Sequence, residues 1–114
     1  MPNKIEQKAT KYVMNRERKN NPRKPPYGSG YDILTDRRRI EIKGTSHGIH
    51  AILNSHNIKA VNRYRNYYLY VVYFKNRKIH LAIFTKNQLL KRKKPESVWY
   101  VPLKKKDFKQ RLTA

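Results

Sequence analysis

Apolar positions along the chain change period several times, and each change marks an element. In "KIEQKATKYVMNRE", residues 4–17, Ile5, Ala9, Tyr12 and Val13 fall on one stripe at helical spacing, which predicts a helix. "RKNNPRKPPYGSG" follows, dense in Pro, Gly, Asn and Lys, and reads as a loop. "YDILT" and "RRIEIKG" are β-rich runs a few residues apart and predict a hairpin. "HAILN" reads as a third short strand. A second helix over 55–65 has Ser55 at the N-cap position and Ile58 and Val61 on one face.

"YYLYVVYF" is apolar or aromatic at every position, the pattern of a central strand covered on both faces. Its tyrosines, Tyr67, Tyr68, Tyr70 and Tyr73, are therefore read mostly as core. "KNRK" is a turn, "IHLAIFT" a further strand and "KNQLLKR" a short helix. "SVWYV" is a strand ended by Pro102. "KKKDFKQRL" reads as a basic terminal helix, with Phe108 and Leu112 four apart. The order α-β-β-β-α-β-β-α-β-α predicts a mixed α/β (α+β) fold. A central mixed β-sheet is flanked by helices, with 4–17 and 55–65 packed on it. There is no internal repeat.

Length then bounds the assembly. A chain of 114 residues is expected to be one domain over 1–114. Its parts are a basic helix and loop at 1–27, a core at 28–90 and a basic strand and helix at 91–114. Cysteine is absent, which removes disulfides, thiolate zinc sites and cysteine nucleophiles. No apolar run approaches a membrane span, and the N-terminus lacks an apolar signal core. The expectation is a soluble cytoplasmic protein with no membrane partner. Nine tyrosines, three phenylalanines and the β-branched runs argue against disorder.

Charge narrows the partner. The formal net charge is +21, which points to nucleic-acid phosphate or an anionic membrane surface, and the lack of a strongly amphipathic helix with a large apolar face favours nucleic acid. Residues 1–24 hold eight Lys or Arg against two Glu, and 86–114 hold ten against two acids. The residues expected to touch phosphates are Lys19, Arg23, Lys24, His47, Lys59, Arg63, Lys104, Lys105 and Lys106. "KNNPRKPP" is placed to lie along a backbone.

Against that charge, the acids are placed oddly. Only seven Asp or Glu are present, and Asp32, Asp36 and Glu41 fall within 28–44. Side chains alternate along a strand, so Glu41 and Lys43 share a face and Ile40 and Ile42 take the other. If Asp36 and Arg37 form a two-residue turn, Thr35 pairs with Arg38 and Asp32 lies opposite Glu41; a four-residue turn keeps Asp32 on that face opposite Lys43, and only an odd loop would split them. Facing carboxylates repel, and a hard divalent cation such as magnesium between them would relieve it. Lys43 beside them suits metal-assisted attack of water on a phosphodiester. The same residues also suit a solvated hairpin in which Lys43 neutralises Glu41, and spacing alone does not choose between the two. Glu-x-Lys also occurs at Glu6–Lys8 and Glu17–Lys19, but on a helical pattern where i and i+2 do not face each other.

"GYDI", then "IEIKGTS", then "YYLYVVY" resembles the PD-(D/E)xK nuclease superfamily, with its restriction-endonuclease-like core. More narrowly, residues 27–90 resemble the NO VEIN C-terminal-like domain, which also occurs in bacterial and archaeal proteins, some linked to restriction systems. The resemblance implies that Asp32 and Glu41 bind Mg2+ (or Mn2+) and that Lys43 positions or activates the water. A helix-borne Glu often joins such sites, and Glu6 is the candidate. Tyr31 stands where the superfamily name has Pro. The implied activity is metal-dependent hydrolysis of nucleic acid, DNA favoured over RNA. Cutting both strands of a duplex would favour a homodimer, and a nicking monomer is equally allowed. The alternative is a non-catalytic basic binder of RNA or ribosomes. His47, His50, His56 and His80 lack a convincing third zinc ligand by spacing and are read as polar histidines near a basic groove. "GSG" at 28–30 lacks the Lys and helix start of a phosphate loop and serves a tight turn into the Asp32 strand.

Overall fold

Strand pairing begins at the predicted hairpin and carries the chain into a mixed sheet. The computed structural model describes residues 4–95 and 97–113, apart from the side chains of 95 and 109–113. In chain order its elements are α1 (Lys4–Arg16), β1 (Ile33–Leu34), β2 (Arg39–Thr45), β3 (His50–Leu53), α2 (Ser55–Arg63) and β4 (Tyr67–Lys75). They continue with β5 (Lys78–Thr85), α3 (Lys86–Arg92), β6 (Lys94–Pro95), β7 (Trp99–Pro102) and β8 (Phe108–Thr113). Single 3-10 turns occupy Arg18–Asn20 and Lys105–Asp107. Among the described residues the main sheet has the order β1-β2-β4-β5-β8, and β3-β7-β6 form a second, smaller sheet.

β2 and β4 are parallel, and every other pair in the main sheet is antiparallel. Parallel neighbours need a crossover, and β3 with α2 supplies it. β4 lies in the middle, as its unbroken apolar run predicts. Alternation along β4 feeds two cores. Tyr70 and Val72 join Ile40, Ile42 and Leu81 beneath Ala9 and Val13 of α1. Tyr67, Leu69 and Val71 point the other way, beneath Ala60 and Val61 of α2 and beside Trp99 and Val101 of β7. Tyr67 and Tyr70 are fully buried, while Tyr68 and Tyr73 are half-buried.

Three expectations are corrected. The α2 cap is Asn54, not Ser55. Asn54 Oδ1 accepts the Asn57 amide at 3.0 Å, and Asn57 Oδ1 accepts the Asn54 amide at 3.1 Å, a closed capping box. The helix read over 55–65 stops at Arg63, with Tyr64 extended. The terminal "KKKDFKQRL" is not an α-helix: Lys105–Asp107 form a single 3-10 turn, and the backbone of Phe108–Thr113 forms β8, antiparallel to β5. The register runs Phe108 to Ala82 and Leu112 to Ile79 with a shift between Leu81 and Ala82, so the helical four-residue spacing is no guide to the strand period here. The open edge of β5 offers a ladder of backbone partners, and tertiary pairing decides.

Candidate active site

The Asp36–Arg37 reversal sets the geometry. Thr35 Oγ1 accepts the Arg38 amide at 2.9 Å and the Arg37 amide at 3.2 Å, a hydroxyl-closed turn. Thr35 N–H donates to Arg38 O at 2.8 Å, and the register runs Ile33 to Ile40 and Leu34 to Arg39. This is the two-residue-turn pairing. Asp36 stays outside the site. Its carboxylate takes Arg23 Nη1 at 3.1 Å, and its amide donates to Asn20 O, tying the 18–23 segment to the turn.

Asp32 sits where the ladder ends. Its amide donates to Ile40 O at 2.8 Å, and its Oδ2 accepts the Ile42 amide at 2.8 Å. The carboxylate thus takes up a strand amide, which fixes its direction. Upstream, Gly30 takes φ of +84°, and a Cβ there would collide with the His56 carbonyl oxygen. The Gly30 carbonyl accepts Asn57 Nδ2 at 3.1 Å and the Tyr67 hydroxyl at 3.2 Å. So α2 and β4 both hold the segment that delivers Asp32.

Glu41 is 5% exposed, in contrast to the exposed Asp32. Lys43 Nζ lies 3.1 Å from Glu41 Oε2. Burial, then the Asp32 charge, push the Glu41 carboxyl up to about 8, and a hydrogen bond with Asp32 adds to the rise. The Lys43 ammonium pulls the other way without cancelling it. Burial, followed by the Glu41 and Asp32 charges, also raises the Tyr67 phenol, so it stays protonated and donates.

Asp32 and Glu41 line a cleft of about 550 Å³. Its walls come from Lys24–Tyr31, from Asn54, His56 and Asn57 around the start of α2, and from Thr10 of α1. Lys43 also lines a separate pocket of about 240 Å³ with His47 and His50, whose rings are 5.4 Å apart. The structure thus brings Asp32, Glu41 and Lys43 together. It does not bring in Glu6, which is exposed on α1. Among the described residues no three His, Cys, Asp or Glu gather as a metal-holding group.

The family model described as protein NO VEIN, C-terminal, matches residues 5–84. The chain belongs to this family. No curated protein and no solved structure matches it. The part of the chain matching the NO VEIN C-terminal domain runs from α1 through the hairpin and β4 to Phe84 in β5, and so includes every wall of the Asp32 cleft.

The cations expected at phosphates are scattered about this NO VEIN C-terminal domain. Lys24 lines the Asp32 cleft. Lys59 and Arg63 are exposed on α2, with the Arg63 guanidinium 5.3 Å from the Tyr64 ring. Lys19 borders a separate hollow with Tyr12, Arg16 and Arg18. Arg23 is engaged by Asp36. His47 and Lys105 line a third cavity, and Lys104 and Lys106 are exposed beside it in chain order. Sequence reasoning passed over Asn57 and Tyr67. Their contacts to Gly30 span 27 and 37 residues, and no local pattern signals them. No helix among the described residues is long and apolar enough to cross a membrane.

Proposed function

We propose that the chain is a metal-dependent nuclease of the PD-(D/E)xK type, acting on phosphodiester bonds, DNA favoured over RNA. One observation carries the reading. A chain of net charge +21 buries Glu41 against a second carboxylate, Asp32, in the wall of an open cleft. A protein that only grips phosphates gains nothing from acids facing them. A carboxyl raised by burial and a neighbouring charge in a cleft marks a candidate functional site.

The donor set fits a hard divalent cation. Two adjacent carboxylates offer oxygen ligands and leave positions for water and a phosphate, as magnesium requires. When bound, such an ion lowers the pKa of its water and offsets charge on the reacting phosphate. The residues do the rest. Asp32, aimed by the Ile42 amide, and Glu41 as its carboxylate, with the proton passed to solvent, would hold the cation. Lys43, 3.1 Å from Glu41, would hold the attacking water and balance charge on the phosphoryl oxygens. Lys24 and His56 line the same cleft and suit the flanking backbone. The Lys43–Glu41 contact favours a second reading, since it satisfies the acid without a metal: a basic, non-catalytic nucleic-acid binder. Cleavage assays on supercoiled, linear, branched and single-stranded substrates decide between them. With Mg2+ or Mn2+ at least one substrate is cut, and EDTA stops the reaction. Binding without metal-dependent cutting of any substrate selects the binder.

A further inference from the structure

The face of the sheet that carries Glu41 and Lys43 continues past the cleft. Register sets Glu41 beside Leu69 and Phe84, Lys43 beside Val71 and Ala82, and Thr45 beside Tyr73 and His80. The Tyr73 row lies four residues along β2 from Glu41, roughly 13 Å at strand rise. There the face opens into a cavity of about 440 Å³.

Its lining has two chemistries. Tyr73 and Phe108 have ring centroids 5.5 Å apart, and the His80 ring lies 5.6 Å from Tyr73. Lys75, Lys78 and Lys105 supply positive charge around those rings, and among the described residues no carboxylate lines the space. Gly48 closes one side at φ of +67°, where a Cβ would come within 2.9 Å of the Tyr73 ring. The loop can lie against the aromatic only because that residue is glycine. Flat apolar rings surrounded by cations match a flat aromatic body bearing a phosphate.

We propose that this cavity binds one unpaired nucleotide of the bound strand, its base against the Tyr73, His80 and Phe108 rings and its phosphate against Lys75, Lys78 and Lys105. A base within a duplex has its faces already stacked, so the pocket selects single-stranded or splayed nucleotides. Its position along the strand from a scissile phosphate rests on the nuclease reading, whereas the binding itself does not.

The test is an NMR titration of the full chain in EDTA, so that failure of cleavage cannot decide it. The probes are deoxyadenosine 5′-monophosphate, base-free deoxyribose 5-phosphate, and an oligonucleotide compared single-stranded and as a duplex. The mononucleotide should saturate with shifts centred on Tyr73 and His80. It should bind roughly tenfold tighter than the sugar phosphate, the scale of one base–aromatic stack. The single strand should outbind the duplex at these signals. Tyr73→Leu should remove the preference for a base, and Lys78→Ala with Lys105→Ala should weaken both phosphates while leaving the melting temperature unchanged. If Tyr73→Leu does not fold, His80→Ala replaces it. Equal affinity for the sugar phosphate, or shifts spread over the lysines with no centre at Tyr73, would overturn the proposal.

Discussion

Glu41 is the residue on which the account turns. Its carboxyl is pushed up to about 8 from an ordinary value near 4.5, so the folded state holds a proton that the unfolded chain releases. The stabilisation linked to that proton is full below pH 4.5 and is lost as pH rises through 8. Without metal, stability should therefore fall from about pH 4.5 to about pH 8, by at most about 1.4 kcal/mol per unit from this group, and level off above that. Thermal melts of wild type and Glu41→Gln across that range check it: the variant should lack this component. A slope unchanged in the variant would assign it elsewhere. Added Mg2+ should recover more stability at pH 8.5 than at pH 6, because the metal competes with the proton. Asp32 has a second duty, accepting the Ile42 amide. Asp32→Asn should keep that bond and nearly all stability while losing cleavage. Asp32→Ala should lose cleavage and also about 1–2 kcal/mol, read by denaturant melts. Neither should weaken nucleic-acid binding, since each removes a negative charge.

At the scale of elements, the legible parts are those whose local pattern allowed only one outcome. "YYLYVVYF" is too uniformly apolar for anything but a doubly covered strand, and it lies at the centre of the sheet. The turn at Asp36–Arg37 fixes the hairpin register and with it the meeting of Asp32 and Glu41, so that meeting was readable from alternation and an even turn length, whereas its chemistry was not. β8 was not readable, because four-residue spacing of Phe108 and Leu112 reads as helical, while the edge of β5 and the register shift at Leu81–Ala82 made the choice. The α2 cap was misplaced by one residue because Asn54 and Ser55 are both good caps. Asn57 decides in favour of Asn54 by closing the box, and it also reaches Gly30. Helix start and acid placement are therefore coupled. Asn54→Ala should cost about 1 kcal/mol in equilibrium unfolding. It should also lower cleavage, through looser Asn57 and Gly30, and a variant with normal activity would break that link.

Over the whole molecule, the proposed function rests on the charge for nucleic acid as the partner and on the acids of the cleft as the place where it is cut. Glu17, Asp36, Glu41 and Asp107 each pair with a Lys or Arg. None of the ion pairs among the described residues involves Asp32, which bonds an amide instead. Affinity for nucleic acid should fall steeply and linearly in log–log salt titrations as phosphates regain counterions, with weak sequence preference. A flat response would separate the charge from the function. The Glu6 expectation came from resemblance rather than from residues, and the described structure gathers only two carboxylates with Lys43. The most direct measurement is side-by-side cleavage by wild type, Asp32→Asn, Glu41→Gln and Lys43→Ala in Mg2+, with binding recorded on the same substrate. The account predicts metal-dependent cutting by wild type, none by the three variants and nearly unchanged binding by all four. Variants that cut as well as wild type would contradict it.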